Sequence, residues 1–320
     1  MQTKKDELYI GIDLGGTNIS VGLINGDFDF IAKHSVPTIA SRPYKEIIAD
    51  MAKAVNTVLD MADIELSDCI SIGIGSPGVC DGENGIVTYS NNLAWNDVPL
   101  CEELHSLLPI PVYLSNDANC AAYGEVLCGA ASGAKNALMI TLGTGVGFGV
   151  IINGEIYAGE KSQGAEGGHT LLVMDGELCT CGRRGCLEAY ASATGLIRET
   201  KLKMAEHTDS KMYDIVNGDI SKVNGKTAFD AAKLGDEAGL EVVRLYTKYV
   251  GEGLVDFINI FRPEIVIVGG GVSNESEYLM GPLNEYVSKH TFGGTRIMCP
   301  KVVKATLGND AGIIGAAFLK

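Results

Sequence analysis

LGGTNISVGLINGDF, residues 14–28, aligns without a gap on LGTGVGFGVIINGEI, residues 142–156. Each copy reads as a glycine turn, an apolar strand, then Asn-Gly and an acid, and each follows another apolar strand. Asn-Gly between apolar runs signals a hairpin, because a type I′ turn needs positive φ at both central positions. Asn25-Gly26 is expected to form one. The chain therefore holds two similar three-strand meanders, one in each half. Facing each other across a cleft, they would put two glycine turns on one ligand.

Outward from the first copy, the spacing of Ile47, Ile48, Met51, Val55, Val58 and Leu59 predicts a helix over 43–62, followed by a buried strand over 70–75. Short strands follow at 86–89 and 112–114, and the latter runs through Ser115-Asn116-Asp117-Ala118-Asn119 into an Ala-rich helix ending near Leu127. Beyond the second copy, helices are expected over 194–206, 226–234 and 236–261, with an irregular polar stretch at 209–225. A strand at 265–268, a helix from about 275, a strand at 301–305 and a helix at 310–319 with Asp310 as its N-cap complete the chain. The fold class is α/β.

At 320 residues the chain can build two domains, each with its own core. The net charge of −15 argues against nucleic acid or an anionic membrane as partner. The start MQTKKDELYIGID lacks a signal-peptide core, and no apolar run is long enough to span a bilayer. Nine mostly scattered cysteines, an odd number, fit a reducing cytoplasm better than a disulfide framework.

Glycine-rich turns follow strands at Gly15-Gly16-Thr17-Asn18, Gly143-Thr144-Gly145 and Gly269-Gly270-Gly271. Without Cβ atoms such turns can bring several backbone N–H groups close to one anion, and threonine hydroxyls add donors. Neither a Walker A lysine pattern nor G-x-G-x-x-G opening a helix is present. Asp13, at the end of an apolar strand, is suited either to holding Mg²⁺ through water beside phosphates or to closing a turn. Asp117, where a strand meets a helix, reads either as an N-cap or as a catalytic carboxylate.

The stretch GAEGGHTLLVMDGELCTCGRRGCLE, residues 164–188, carries a different chemistry. Cys179, Cys181 and Cys186 lie within eight residues, and His169 stands ten residues before the first. Three thiolates and one imidazole make a closed tetrahedral zinc site. Such a site would rigidify a loop that has few apolar residues to bury. It would also fix Glu166 and Glu188, which could then accept hydrogen bonds from a polyhydroxylated ligand. Without a Cys-x-x-Cys pair a redox role is disfavoured.

DLGGTN at 13–18, SPG at 76–78, SNDAN at 115–119, LGTGVG at 142–147, EGGH at 166–169 and CTCGRRGCLE at 179–188 resemble the ROK family of sugar kinases and repressors. Among its branches they look most like the bacterial ATP-dependent glucokinases. The resemblance implies an actin-like (ribonuclease H-like) two-domain fold with an interdomain cleft. Its small domain would span 1–117 plus about 306–320, and its larger one 118–305. It implies Asp117 as general base toward the 6-hydroxyl of glucose. Gly78, Asn92, Asn116, Glu166, His169 and Glu188 would hold the sugar. The nucleotide would meet Asp13 through Mg²⁺, phosphate turns at Gly15, Gly16, Thr17, Asn18, Thr141, Gly143, Thr144 and Gly145, and an adenosine site at Gly269, Gly270 and Gly271. Structural Zn²⁺ would take His169, Cys179, Cys181 and Cys186. Another sugar (N-acetylmannosamine, fructose or allose) is the alternative within the kinases. Repressors of the family carry a helix-turn-helix ahead of the first strand, where about eight residues stand here. The family is commonly dimeric or tetrameric.

Overall fold

The structure, a computed structural model, describes residues 7–320. In chain order the elements are β1 (Leu8–Leu14), β2 (Asn18–Asn25), β3 (Phe30–Pro37), α1 (Tyr44–Ala62), β4 (Cys69–Ser76), β5 (Val79–Asp81), β6 (Ile86–Ser90), β7 (Trp95–Val98), α2 (Leu100–Leu107), β8 (Val112–Asn116) and α3 (Asp117–Leu127). Then come β9 (Ala137–Leu142), β10 (Val146–Ile152), β11 (Glu155–Ile156), α4 (Glu188–Ala191), α5 (Ala193–Glu206), α6 (Met212–Ile215), α7 (Thr227–Lys233), α8 (Glu237–Phe261), β12 (Ile265–Gly269), α9 (Ser276–His290), β13 (Lys301–Lys304) and α10 (Asp310–Ala317).

Among the described residues, one sheet has the order β3-β2-β1-β4-β8 and a second the order β11-β10-β9-β12-β13. Strand for strand the two orders correspond, so the duplication read from two meanders extends to whole sheets. β1, β4 and β8 run parallel, while β2 and β3 are antiparallel additions. A small third sheet, β5-β6-β7, was foreseen only in its middle strand, because β5 and β7 are too short to show a period.

The two Asn-Gly turns differ. Asn153 and Gly154 both have positive φ, and Ile152 pairs with Glu155, as a two-residue I′ hairpin requires. In the first copy the loop is longer. The buried Asn25 side chain accepts from the N–H groups of Asp27 and Asp29 at 3.0 and 2.9 Å, and the positive φ falls at Phe28. The expected I′ turn is therefore replaced by a side-chain-closed loop, an alternative always open to asparagine.

Packing divides the described residues into compact units. One comprises the residues through Met139 with Gly149–Ala165 and Thr306–Lys320; the other comprises Ile140–Phe148 and Glu166–Ala305. In the first, Ile10, Ile12, Leu14, Val21 and Leu23 build a core with Ile47, Met51 and Val55 of α1. On the opposite sheet face lie Gly11 and Gly73, where any Cβ would overlap the carbonyl oxygens of Ile313 and Ala316 in α10. α10 and α3 approach as closely, Gly315 against the Cys120 carbonyl and Gly124 against that of Ala311. Glycine in a strand or helix here permits backbone-to-backbone packing. That packing keeps α3 with α10, so residues 118–139 belong to the first unit, whereas the sequence reading drew its boundary after 117.

Glu125, wholly buried, ties the same region together. Its carboxylate accepts from the N–H groups of Ala130, Thr306 and Leu307 at 2.7, 2.9 and 2.8 Å. In the second unit the long helix α8 packs against α5, α7 and α9. The polar stretch expected to be irregular holds α6 and a short 3₁₀ turn at Ile220–Lys222. Asp310 does not cap α10: it is the first helical residue and pairs with Lys33 at 2.8 Å. No helix among the described residues is long and apolar enough to cross a membrane.

Candidate functional site

Because β1, β4 and β8 are parallel, Asp13, Ser76 and Asn116 leave the sheet at one edge, the carboxyl ends where α/β sheets bind ligands. Asn116 is the N-cap of α3. Its side-chain oxygen accepts from the N–H groups of Ala118 and Asn119 at 2.9 and 3.3 Å, and its amide donates to the Gly78 carbonyl at 3.0 Å. Asn116 is thus the N-cap, and Asp117 occupies the first helical position, where its own Oδ1 also accepts from Ala118 N–H at 2.8 Å. The capping role weighed for Asp117 belongs to its neighbour.

Asp13 and Asp117 interact electrostatically. Asp13 is partly exposed by area, yet surrounding atoms desolvate its carboxyl, and with the charge of Asp117 they push its pKa up to about 6. The charge of Asp117 opposes ionisation of Asp13, which a nearby divalent cation would relieve. The donor set therefore fits Mg²⁺. Asn92 lies beside the first glycine turn, its Cβ 3.5 Å from where a Gly16 side chain would begin.

In the second unit the ligand atoms of His169, Cys179, Cys181 and Cys186 all lie within 4.8 Å of one another. Cys181 Sγ is 3.6 Å from Cys186 Sγ, and Cys179 Sγ is 3.6 Å from His169 Nδ1. Tetrahedral zinc with ordinary bond lengths separates two sulfurs by about 3.8 Å and sulfur from nitrogen by about 3.6 Å. The group fits zinc, with Nδ1 turned to the metal position and Nε2 left for other work. The backbone folds tightly around it, with Cys179 N–H donating to Arg183 O and Gly182 N–H to Cys179 O, both at 2.9 Å. Burial pushes the Cys179 thiol up to about 12, a cost that a coordinated cation offsets.

Glu188 connects this knot to the second glycine turn. Its Oε1 accepts from Thr180 Oγ1 at 2.8 Å and from Cys179 Sγ at 3.4 Å, while Oε2 accepts from Val146 N–H at 3.0 Å. A Cβ on Gly145 would lie only 2.5 Å from Oε2, so a larger residue there would displace the Glu188 carboxylate. Desolvation around the Glu166 carboxylate raises its pKa even though part of the side chain is exposed; the charge of His169 opposes this and that of Glu188 adds to it.

Thr141 Oγ1 accepts from Gly147 N–H at 3.1 Å and so braces the β9–β10 turn. Gly270, at φ 80°, packs against the end of β9, where a Cβ would meet Leu142 N and O at 2.5 Å. The first unit therefore gathers Asp13, Gly15–Asn18, Gly78, Asn92, Asn116 and Asp117. The second gathers Thr141, Gly143–Gly145, Glu166, His169, the three cysteines, Glu188 and Gly269–Gly271. Thr180, Thr38 and Thr194 also engage these turns and loops. Sequence reading missed them because a single threonine carries no spacing signal.

The paired sheets and the Cys₃His cluster define an α/β protein of the actin-like two-domain class. The sequence matches the ROK family over residues 9–320, and the chain belongs to that family. It is 40% identical to the glucokinase of Thermotoga maritima over 314 residues, covering 97% of this chain and 96% of that protein. The ROK family glucokinase of Streptomyces griseus, solved in complex with glucose and AMPPNP, superposes with a TM-score of 0.82 at 34% identity, over 97% of this chain and 98% of that one. The xylose repressor of Bacillus spizizenii is 29% identical, over 99% of this chain and 77% of the repressor.

Proposed function

We propose that this protein, an ATP-dependent kinase of the hexokinase and glucokinase type, phosphorylates glucose at O6 with Asp117 as general base. The observation that carries the reading is the Asp13–Asp117 pair at the carboxyl edge of the first sheet, where Asn116 is the N-cap of α3 and Asp117 its first residue. The Asp117 carboxylate takes the proton of the 6-hydroxyl while O6 attacks the γ-phosphorus, the bond to the bridging oxygen breaks, and ADP leaves. Asp13 would hold Mg²⁺, which when bound would supply screening of the charge on the phosphates. Residues Gly15–Asn18, Thr141 and Gly143–Gly145 hold those phosphates through backbone and hydroxyl donors, and Gly269–Gly271 line the adenosine.

Gly78, Asn92, Asn116, Glu166, His169 and Glu188 bind the sugar hydroxyls. Asn116 retains one amide hydrogen beyond its bond to Gly78. His169, Cys179, Cys181 and Cys186 would hold zinc, which when bound keeps the loop ordered. Cys179 as a thiolate stops donating to Glu188 Oε1, which frees a lone pair there for a sugar hydroxyl. The acidic chain and free cysteines suit a cytoplasmic enzyme. ADP release measured over glucose, fructose, allose, N-acetylglucosamine and N-acetylmannosamine tests the proposal. Glucose should give the highest kcat/KM; a higher value with another sugar overturns the glucose assignment, and no turnover with any overturns the kinase.

A further inference from the structure

The geometry points to Thr38 and Thr194 as positioning residues that lock the peptide planes of the two repeated glycine turns, an inference resting on the kinase reading above. In the first turn Thr38 Oγ1 donates to Gly15 O at 2.6 Å, and Thr38 N–H donates to Thr17 O at 2.8 Å. In the second, Ala193 N–H donates to Gly143 O at 2.8 Å, and Thr194 Oγ1 donates to Thr144 O at 2.9 Å. Segments far apart in sequence thus hold the carbonyls of both turns.

The consequence follows from peptide planarity. In a trans peptide the carbonyl of one residue and the N–H of the next point in opposite directions, and the described residues contain no cis bond. Tying Gly15 O to Thr38 turns the Gly16 N–H the other way. Tying Gly143 O and Thr144 O to residues 193 and 194 does the same for the N–H groups of Thr144 and Gly145. An anion approaching opposite the ties meets donors rather than carbonyl oxygens. Glycine turns flip their peptides easily, so without the ties the donor-out arrangement would be one of several.

Thr194 is not needed for its own helix. The N-cap of α5 is Ser192, whose hydroxyl accepts from Gly195 N–H at 3.1 Å, and Thr194 itself is exposed. Thr38 is fully buried, so Thr194 is the better site for a test. Valine there has the same shape and lacks the hydroxyl, while the exposed Thr144 carbonyl can turn to water.

In the full chain, Thr194→Val should weaken binding of the Mg²⁺ complex of AMPPNP by roughly three- to tenfold, the range expected for one hydrogen bond. Calorimetric glucose affinity and the unfolding midpoint should stay unchanged, and Thr194→Ser should restore nucleotide affinity. Unchanged AMPPNP affinity in Thr194→Val overturns the inference, as does equal weakening toward glucose. If wild type binds AMPPNP but phosphorylates no sugar, the kinase reading fails while the affinity shift still supports the threonine's role. If wild type binds no AMPPNP, both fail.

Discussion

Replacing Asp13 by asparagine should stabilise the ligand-free protein by an amount that grows as pH rises from the unfolded to the folded pKa of Asp13. Burial first, and the charge of Asp117 second, raise its pKa from 3.8 to about 6. A carboxyl that binds its proton more tightly in the folded state contributes stability at low pH that is lost as pH rises through the folded value. Once ionisation is complete the loss is about 3 kcal/mol, a sizeable share of typical domain stability. Asparagine keeps the shape and removes the charge. Cys120, the other titratable group facing both acids, has its thiol raised well out of this window by burial. The gain of Asp13→Asn over wild type should therefore be under about 1 kcal/mol at pH 4 and approach about 3 kcal/mol at pH 8. Trp95, the sole tryptophan, is 3% exposed and lies in the same unit, so its fluorescence during urea unfolding reports the correct transition. Comparing the variants at two pH values cancels effects that do not titrate. Parallel pH profiles for the two proteins would refute the reasoning.

Asp117→Asn should lower turnover by roughly 10²–10⁴ while metal analysis shows unchanged zinc, and near-normal ADP release would remove Asp117 as the base. Cys181→Ser should lose the metal. Because Glu188 bridges Cys179 and Val146, sugar affinity should fall most and nucleotide affinity should follow. Stoichiometric zinc in that variant would contradict the four-ligand site. Gly315→Ala pushes a methyl into the Cys120 carbonyl, where backbone faces backbone, and should cost about 1–3 kcal/mol by Trp95-monitored unfolding. An unchanged midpoint would mean α10 can shift without penalty.

Much of this protein was written locally. The duplicated glycine-strand-Asn-Gly segment announced two meanders, and the spacing from Cys179 to Cys186 announced a cluster with the geometry of metal ligands, because turn chemistry and ligand type act over a few residues. Periodicity located α1, α5, α7 and α8 for the same reason. Other features needed distant partners. Whether Asn-Gly makes an I′ turn depended on whether the asparagine side chain was drawn inward, as at Asn25, or left outside, as at Asn153. Which residue caps α3 depended on Gly78, whose carbonyl takes the Asn116 amide. The division of the chain depended on Gly11, Gly73, Gly124 and Gly315 meeting α10 and α3 at backbone distance. The threonine ties on the glycine turns arise only when residues 38 and 194 are folded back against 15 and 144. A hydrogen bond between remote residues has no period and no spacing, so it is invisible until the chain has closed.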